Sequence, residues 1–236
     1  SEEVRHDLQT VTFATTTDGN HGRGVAWMAR QLKQNAVVYM PKGSSQQRLA
    51  SIRNEGATAE IVDMNYDDAV RMTAEQAEKY GWIVVQDTAW EGYEKIPQWI
   101  MQGYGTLMLE AIDQLHQVAP THIFVQAGVG SFAGMVQGMV TAAWGETVMA
   151  GLACGEANSI GWKLLRDYAN AFASCPDEVA ALGMRMLGNP LAGDPQIISG
   201  ESGAVTTGLL ALLITSPELA QTREQLGLDA HSRVLL

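Results

Sequence analysis

The stretch TTTDGNHGRGVA, Thr15 to Ala26, places three glycines, an Asp, an Asn and a His where a β-branched run gives way to a helical pattern. The run before it, VTFATTT, reads as a strand, and Asn20 to Leu32 reads as a helix with Val25, Trp27, Met28 and Leu32 apolar. Glycines at 19, 22 and 24 permit a tight strand-to-helix turn and close packing. Backbone N–H groups at a helix N-terminus form an anion site. Asp18 and Asn20 are natural capping residues, so a well-capped helix without chemistry also accounts for the stretch. The glycine spacing does not fit the dinucleotide fingerprint.

Outward from this turn the same alternation continues. NAVVYMP reads as a strand, and SSQQRLASIRNEG as a helix opened by Ser and closed by Gly56; AEIVDM then leads into the helix YDDAVRMTAEQAEKYG. WIVVQD is followed by a loop, the helix PQWIMQGYGTLMLEAIDQLH and the strand-like THIFVQAGVG. Strands separated by helices of this length imply right-handed βαβ crossovers, hence an α/β fold of mostly parallel sheets covered by helices on both faces. The loops after strand C-termini then become the ligand sites to consider. The loop DTAWEGYEKIPQ is the best boundary between two sheets, which gives a small α/β domain over 9–88 and a second domain over 89–236.

Two features break the pattern. The helix from Ser131 to Trp144 ends at Gly145, yet ETVMAGLACGEANSIGW offers no convincing strand to complete the crossover. The terminal SRVLL looks like a buried strand begun and not finished, and little precedes the first strand. The expectation is that segments of a longer polypeptide are absent.

Composition narrows the function. A net charge of -11, from 26 acidic against 15 basic residues with no clustered Lys/Arg stripe, argues against a nucleic acid or an anionic membrane as partner and favours a small substrate. No apolar run reaches the roughly 18 residues of a membrane span, and the start is polar, so the cytoplasm is the default location. Cys154 and Cys175 make neither a metal spacing nor a disulfide framework; they read as buried free thiols, with a single bridge as the other reading.

The second turn, IFVQAGVGSFAG, runs an apolar strand into Gly128, Val129, Gly130 and Ser131 and then a helix, which is how a chain presents several N–H donors to a phosphate. Two such strand-loop-helix units suggest a small phosphorylated cofactor clamped between domains.

TTTDGNHGRGVA resembles the asparagine loop, and QAGVGSFAG the phosphate-cradling loop, of the pyridoxal-phosphate enzymes of the tryptophan-synthase β type, which include the threonine and serine dehydratases. Asp18 stands where dehydratases usually carry Ser. Together with VVQDTAWEGY, IMQGYGTL, MAGLACGE, GNP and IISGESGAV, the chain is similar to the diaminopropionate ammonia-lyases of that group. The resemblance implies the two-domain fold type II architecture, with 89–236 as part of the large cofactor-binding domain, and a homodimer. It implies that Asn20 hydrogen-bonds the phenolic oxygen of pyridoxal 5'-phosphate and that Gly128, Val129, Gly130 and Ser131 hold its phosphate. The turn at Glu201 would lie beside the cofactor, although helix capping by Ser199 or Ser202 also explains that turn.

The implied reaction is α,β-elimination of ammonia from 2,3-diaminopropionate, D and L, giving pyruvate and two ammonia. It needs a base for the α-proton and a group for the departing β-amine. Asp18 matches the base for one enantiomer, a lysine being the base on the other face, and Asp87 would bind the β-ammonium or pass the proton; each could instead be a plain loop Asp. The family's lysine precedes the asparagine loop, whereas Lys33, Lys42, Lys79, Lys95 and Lys163 all follow it. The further expectations are a missing strand and loop between Glu146 and Thr147 and a missing partner for the pyridine nitrogen after Leu236, so that these residues either belong to a chain with further segments or form an inactive fragment of an enzyme. A threonine or serine dehydratase, or a non-catalytic phosphate-binding module, are the other readings.

Overall fold

The structure, a computed structural model, describes residues 10–116, 118–144, 148–150 and 158–236. The chain divides between Gln86 and Asp87 into two compact units.

The first unit alternates β1 (Thr12–Thr16), α1 (Asn20–Gln31), β2 (Asn35–Met40), α2 (Gln46–Asn54), β3 (Thr58–Ile61), α3 (Tyr66–Tyr80) and β4 (Ile83–Val84). Its sheet has the order β3-β2-β1-β4 with every pairing parallel, and β1 runs in register with β2 from Thr12 opposite Asn35 to Thr16 opposite Tyr39. Period-two burial on β2 sends Ala36, Val38 and Met40 into a core with Ala26 and Ala29 of α1 and Leu49 and Ile52 of α2. The helix starts follow local chemistry. The Ser45 hydroxyl accepts the Arg48 N–H at 3.1 Å to open α2, and Asn65 accepts the Asp68 N–H at 2.9 Å to open α3.

Strand β4 has only two residues, although WIVVQD reads as six strand-like positions. Its continuation is a side chain. The buried Gln86 accepts the Thr16 N–H at 3.0 Å and donates back to the Thr16 carbonyl at 3.1 Å, as a paired strand would. It also takes the Thr15 hydroxyl at 3.0 Å and donates to the Tyr66 hydroxyl at 2.7 Å.

The second unit contains α4 (Lys95–Gln114), β5 (His122–Phe124), α5 (Ser131–Trp144), β6 (Val148–Ala150), α6 (Ser159–Tyr168), α7 (Asp177–Gly188), α8 (Glu201–Thr215), a 3-10 turn (Pro217–Leu219), α9 (Ala220–Gln225) and β7 (Val234–Leu235). Its sheet has the order β6-β5-β7, again wholly parallel. The buried core gathers Met108, Ile123, Val125, Ala133, Val136, Val140 and Leu165.

Strand β6 corrects the sequence reading, which found no strand after α5. Three residues are too few for a period to declare itself, but Val148, Met149 and Ala150 pair with His122, Ile123 and Phe124. The expected insertion point between Glu146 and Thr147 lies outside the described residues. SRVLL forms β7, with Val234 and Leu235 half-buried beside β5. Cys175 is a free, half-buried thiol whose pKa is pushed up by burial, and Cys154 lies outside the described residues.

Of the three glycines in the opening turn, only Gly22 is demanded by close packing. A Cβ there would run into the Thr17 methyl and stand 2.9 Å from Val38 Cγ1, whereas at Gly24 it would meet nothing within 4 Å. Thr17 cannot rotate away without losing the hydrogen bonds of its hydroxyl to the Gly19 and Gly22 amides. Gly22→Ala is therefore expected to destabilise the protein by about 1–3 kcal/mol through overpacking. Gly24→Ala, at an exposed helical position, is expected to stabilise it by about 0.5–1 kcal/mol. Equilibrium denaturant unfolding of the two variants checks the opposite signs.

Candidate functional site

In the first unit the candidate residues sit where β1 feeds α1. The residue that organises the turn is Thr17. Buried to 3% exposure, its hydroxyl accepts the N–H of Gly19 at 3.0 Å and of Gly22 at 3.1 Å. This corrects the capping role expected for Asp18 and Asn20. The N-cap position belongs to Gly19, and no side chain caps it. Asp18 and Asn20 are both exposed, and Asp18 is held through its main chain, its carbonyl accepting Arg48 Nη1 at 3.4 Å. His21 Nε2 lies 2.9 Å from the Val85 carbonyl and ties the start of α1 to the exit of β4. With the amides of the turn served by a threonine, the polar ends of Asp18 and Asn20 are left at the surface of the strand exits.

In the second unit the turn from Gly128 to Ser131 leads directly into α5. Gly130 adopts φ 96°, a left-handed conformation that favours glycine, and its carbonyl accepts the first α5 bond, from the Gly134 N–H at 2.8 Å. Among the described residues no acceptor is seated on the amides of Gly128, Val129, Gly130 and Ser131. Four such donors at a helix N-terminus match an anion in charge and direction.

The turn is fastened from behind by Asn158, which is fully buried. Its main-chain N–H donates to the Val129 carbonyl at 2.6 Å. Its side-chain Nδ2 donates to Ser131 Oγ at 2.7 Å and to the Asp87 carbonyl at 2.8 Å, and its Oδ1 accepts the Ile160 and Gly161 N–H groups at 2.9 and 3.0 Å, opening α6. Ser131 in turn donates its hydroxyl to the same Asp87 carbonyl. The structure thus brings together Asp87, Val129 and Ser131, which the sequence named, through Asn158, which it did not. An Asn ahead of a helix is a readable cap signal, but its ties to Asp87 and Ser131 cross 71 and 27 residues.

Asp87 is half-buried, and Tyr104 of α4 senses it. The Tyr104 ring stands edge-on to Phe132 at 5.4 Å, and burial, reinforced by the negative charge of Asp87, pushes its phenol pKa up to about 12. Beside Asp87 the Thr88 hydroxyl is buried without a hydrogen-bond partner among the described residues. Glu201 begins α8; the N-cap is Gly200 and no side chain caps it, so capping by Ser199 or Ser202 is not what the turn does. Gly203, two residues further on, lines a cavity of about 180 Å³ with Gln126, Phe132, Met108 and Ile123.

The raised phenol pKa has a measurable consequence. Up to the ordinary tyrosine value of 10.0 the phenol is neutral in folded and unfolded chains alike; between there and about 12 the unfolded chain ionises while folded Tyr104 keeps its proton. Stability is therefore expected to fall across this window, and less steeply in Tyr104→Phe. Denaturant unfolding of the two proteins at stepped alkaline pH checks this.

Comparison with known proteins agrees with this geometry. The sequence profile of the family described as pyridoxal-phosphate dependent enzyme matches residues 2–145. The chain is 51% identical over 263 residues to the diaminopropionate ammonia-lyase of Escherichia coli (strain K12), covering 97% of this chain and 66% of that protein. It is 45% identical over 273 residues to the diaminopropionate ammonia-lyase of Salmonella typhimurium (strain LT2), covering 99% and 68%. The apo structure of the Escherichia coli enzyme superposes with a TM-score of 0.93 at 52% identity, over 99% of this chain and 65% of that one. Its complex with an aminoacrylate-PLP azomethine reaction intermediate gives a TM-score of 0.92 at 50% identity, over 96% and 67%. The chain spans about two thirds of the length of these relatives, and since both sequence alignments are longer than its 236 residues, the relatives carry positions with no counterpart here. By sequence and by backbone, the chain belongs to the family of pyridoxal-phosphate dependent enzymes and groups there with the diaminopropionate ammonia-lyases.

Proposed function

We propose that the protein eliminates ammonia from D- and L-2,3-diaminopropionate, yielding pyruvate and two ammonia, with pyridoxal 5'-phosphate as cofactor. The observation that carries this reading is the 51% identity to the Escherichia coli enzyme, which runs through 97% of the chain. The Gly128–Ser131 turn fits the cofactor's phosphate, with amides that serve no other acceptor among the described residues and a left-handed Gly130. The buried Thr88 hydroxyl supplies one further unsatisfied donor beside Asp87. When bound, the cofactor supplies the electron sink for the carbanion left by loss of the α-proton.

The chain's own residues do the rest. The Asn20 amide donates to the ring's phenolic oxygen, and the segment beginning at Glu201 flanks the cofactor. Asp18, exposed at the β1 exit, takes the α-proton of one enantiomer, and the lysine that the resemblance puts ahead of the asparagine loop takes it from the other face. Asp87 holds the β-ammonium until it leaves as ammonia; a carboxylate suits a leaving group that is cationic before elimination. We assign the protein to the cytoplasm as a homodimer. Among the described residues no single helix is long and apolar enough to cross a membrane, and Trp99, Leu107 and Leu109 expose apolar surface along α4 that a second copy would cover.

Two substitutions in the full-length protein test the assignment. Gly130→Asp puts a like charge and a strained Cβ at the phosphate position, so cofactor affinity, read by absorbance titration, is expected to fall by about a hundredfold or more. Unchanged cofactor occupancy would sink the phosphate assignment. Asp18→Asn keeps the side chain's size while removing its basicity. Pyruvate release from the enantiomer that depends on Asp18 is expected to drop by about a hundred- to ten-thousand-fold, while the other retains much more. Equal, modest losses for both enantiomers would leave Asp18 without a catalytic role, and faster turnover of serine or threonine than of diaminopropionate would make the protein a dehydratase.

A further inference from the structure

We propose that Asn158 is a positioning residue that couples the phosphate turn to Asp87, so that the hold on the cofactor and the handling of the departing amine are set by one side chain. The inference rests on the reading of the Gly128–Ser131 turn and of Asp87 given above.

All of the polar capacity of the Asn158 side chain is committed: two donors to the Asp87 carbonyl and Ser131 Oγ, two acceptor positions to the Ile160 and Gly161 amides. Oxygens on one side and N–H groups on the other fix the orientation of the amide. Asp87, Ser131 and Asn158 close a ring of three hydrogen bonds, in which the Asp87 carbonyl accepts from both of the others. The main-chain N–H of Asn158 adds a tie to the Val129 carbonyl, so the same residue holds the turn at two points.

The packing around it leaves no slack. A Cβ on Gly161 would stand 2.5 Å from the Gly130 carbonyl oxygen, and one on Gly134 would stand 2.6 Å from Gly161 Cα. The start of α6 is therefore seated directly against the turn and the first coil of α5, and a displacement of Asn158 is passed to the turn rather than absorbed. Asp87 sits at the other end of the same side chain, its main-chain carbonyl held by both Asn158 and Ser131. A plain helix cap needs only the acceptor atom of Asn158. The two donors and their targets on the functional turn and on Asp87 are what a cap does not require.

The test separates these roles in the full-length protein. Asn158→Ser keeps an N-cap oxygen but removes the amide's two N–H donors to Asp87 and Ser131, leaving one shorter hydroxyl that cannot replace both. The dissociation constant for pyridoxal 5'-phosphate, titrated into the apoprotein, is expected to rise about tenfold. At saturating cofactor, kcat for both enantiomers of diaminopropionate is expected to fall about 10- to 100-fold, the scale of a misplaced reacting group. Far-UV circular dichroism of the variant is expected to match the parent. If Asn158 only caps α6, the serine leaves affinity and kcat within about twofold of the parent, and the proposal falls; movement of one number without the other overturns the coupling. Should Asn158→Ser not fold, Ser131→Ala, which cuts a single side of the ring, decides instead, with both quantities expected to move the same way by severalfold. A parent protein that binds no pyridoxal 5'-phosphate and releases no pyruvate refutes the proposed function itself, an outcome distinct from a parent that does both and a serine variant that keeps them.

Discussion

A buried primary amide carries two donors and two acceptor sites, and each left unsatisfied away from water costs on the order of 1–3 kcal/mol. Asn158 fills all four, on three separate stretches of chain: the residues around Asp87, the glycine turn ahead of α5, and the first turn of α6. None of these stretches has a regular ladder of its own at that point. Two are irregular connections and the third is a helix start with orphan amides. One fully satisfied side chain does there what a sheet does elsewhere, and the close contact of Gly134 with Gly161 is possible because the amide has already fixed where α6 begins. That bond set works together with hydrophobic packing, since Ala127 and Ala133 on either side of the turn and Leu165 of α6 belong to the same buried core.

Long elements and local caps were legible in the sequence. The apolar alternation of NAVVYM, the serine that opens α2 and the crossover order all appear as the periodicity requires, and the resemblance of the two glycine-bearing turns to pyridoxal-phosphate enzymes agrees with the family match. What was not legible has two physical causes, the burial of one polar side chain among several neighbours and pairing between residues distant in sequence. Thr17 rather than Asp18 or Asn20 serves the amides of the first turn because its hydroxyl is buried beneath the helix, a fact of tertiary placement. β6 is three residues long and exists because β5 offers it an edge. Asn158 is absent from the sequence reading, and two of its side-chain bonds reach partners 71 and 27 residues away.

The two strand-to-helix turns solve the same problem by different means. In the first, a threonine ahead of the helix serves the early amides from inside, and the polar residues beside it stay at the surface. In the second, the amides have no internal acceptor among the described residues, and a glycine in the left-handed region makes the turn. The first arrangement presents side chains and the second presents main chain.

Gln86 extends a sheet without extending a strand. Because its side-chain amide takes the place of the peptide group that would have paired with Thr16, the backbone is released from the ladder one position after Val85 while β1 remains zipped to its end. The path of the chain and the integrity of the sheet are thereby uncoupled. The chain can therefore leave the sheet there, at the residue before Asp87, without fraying the central strand. A side chain that closes a ladder lets an irregular connection begin where the sheet would otherwise have to continue.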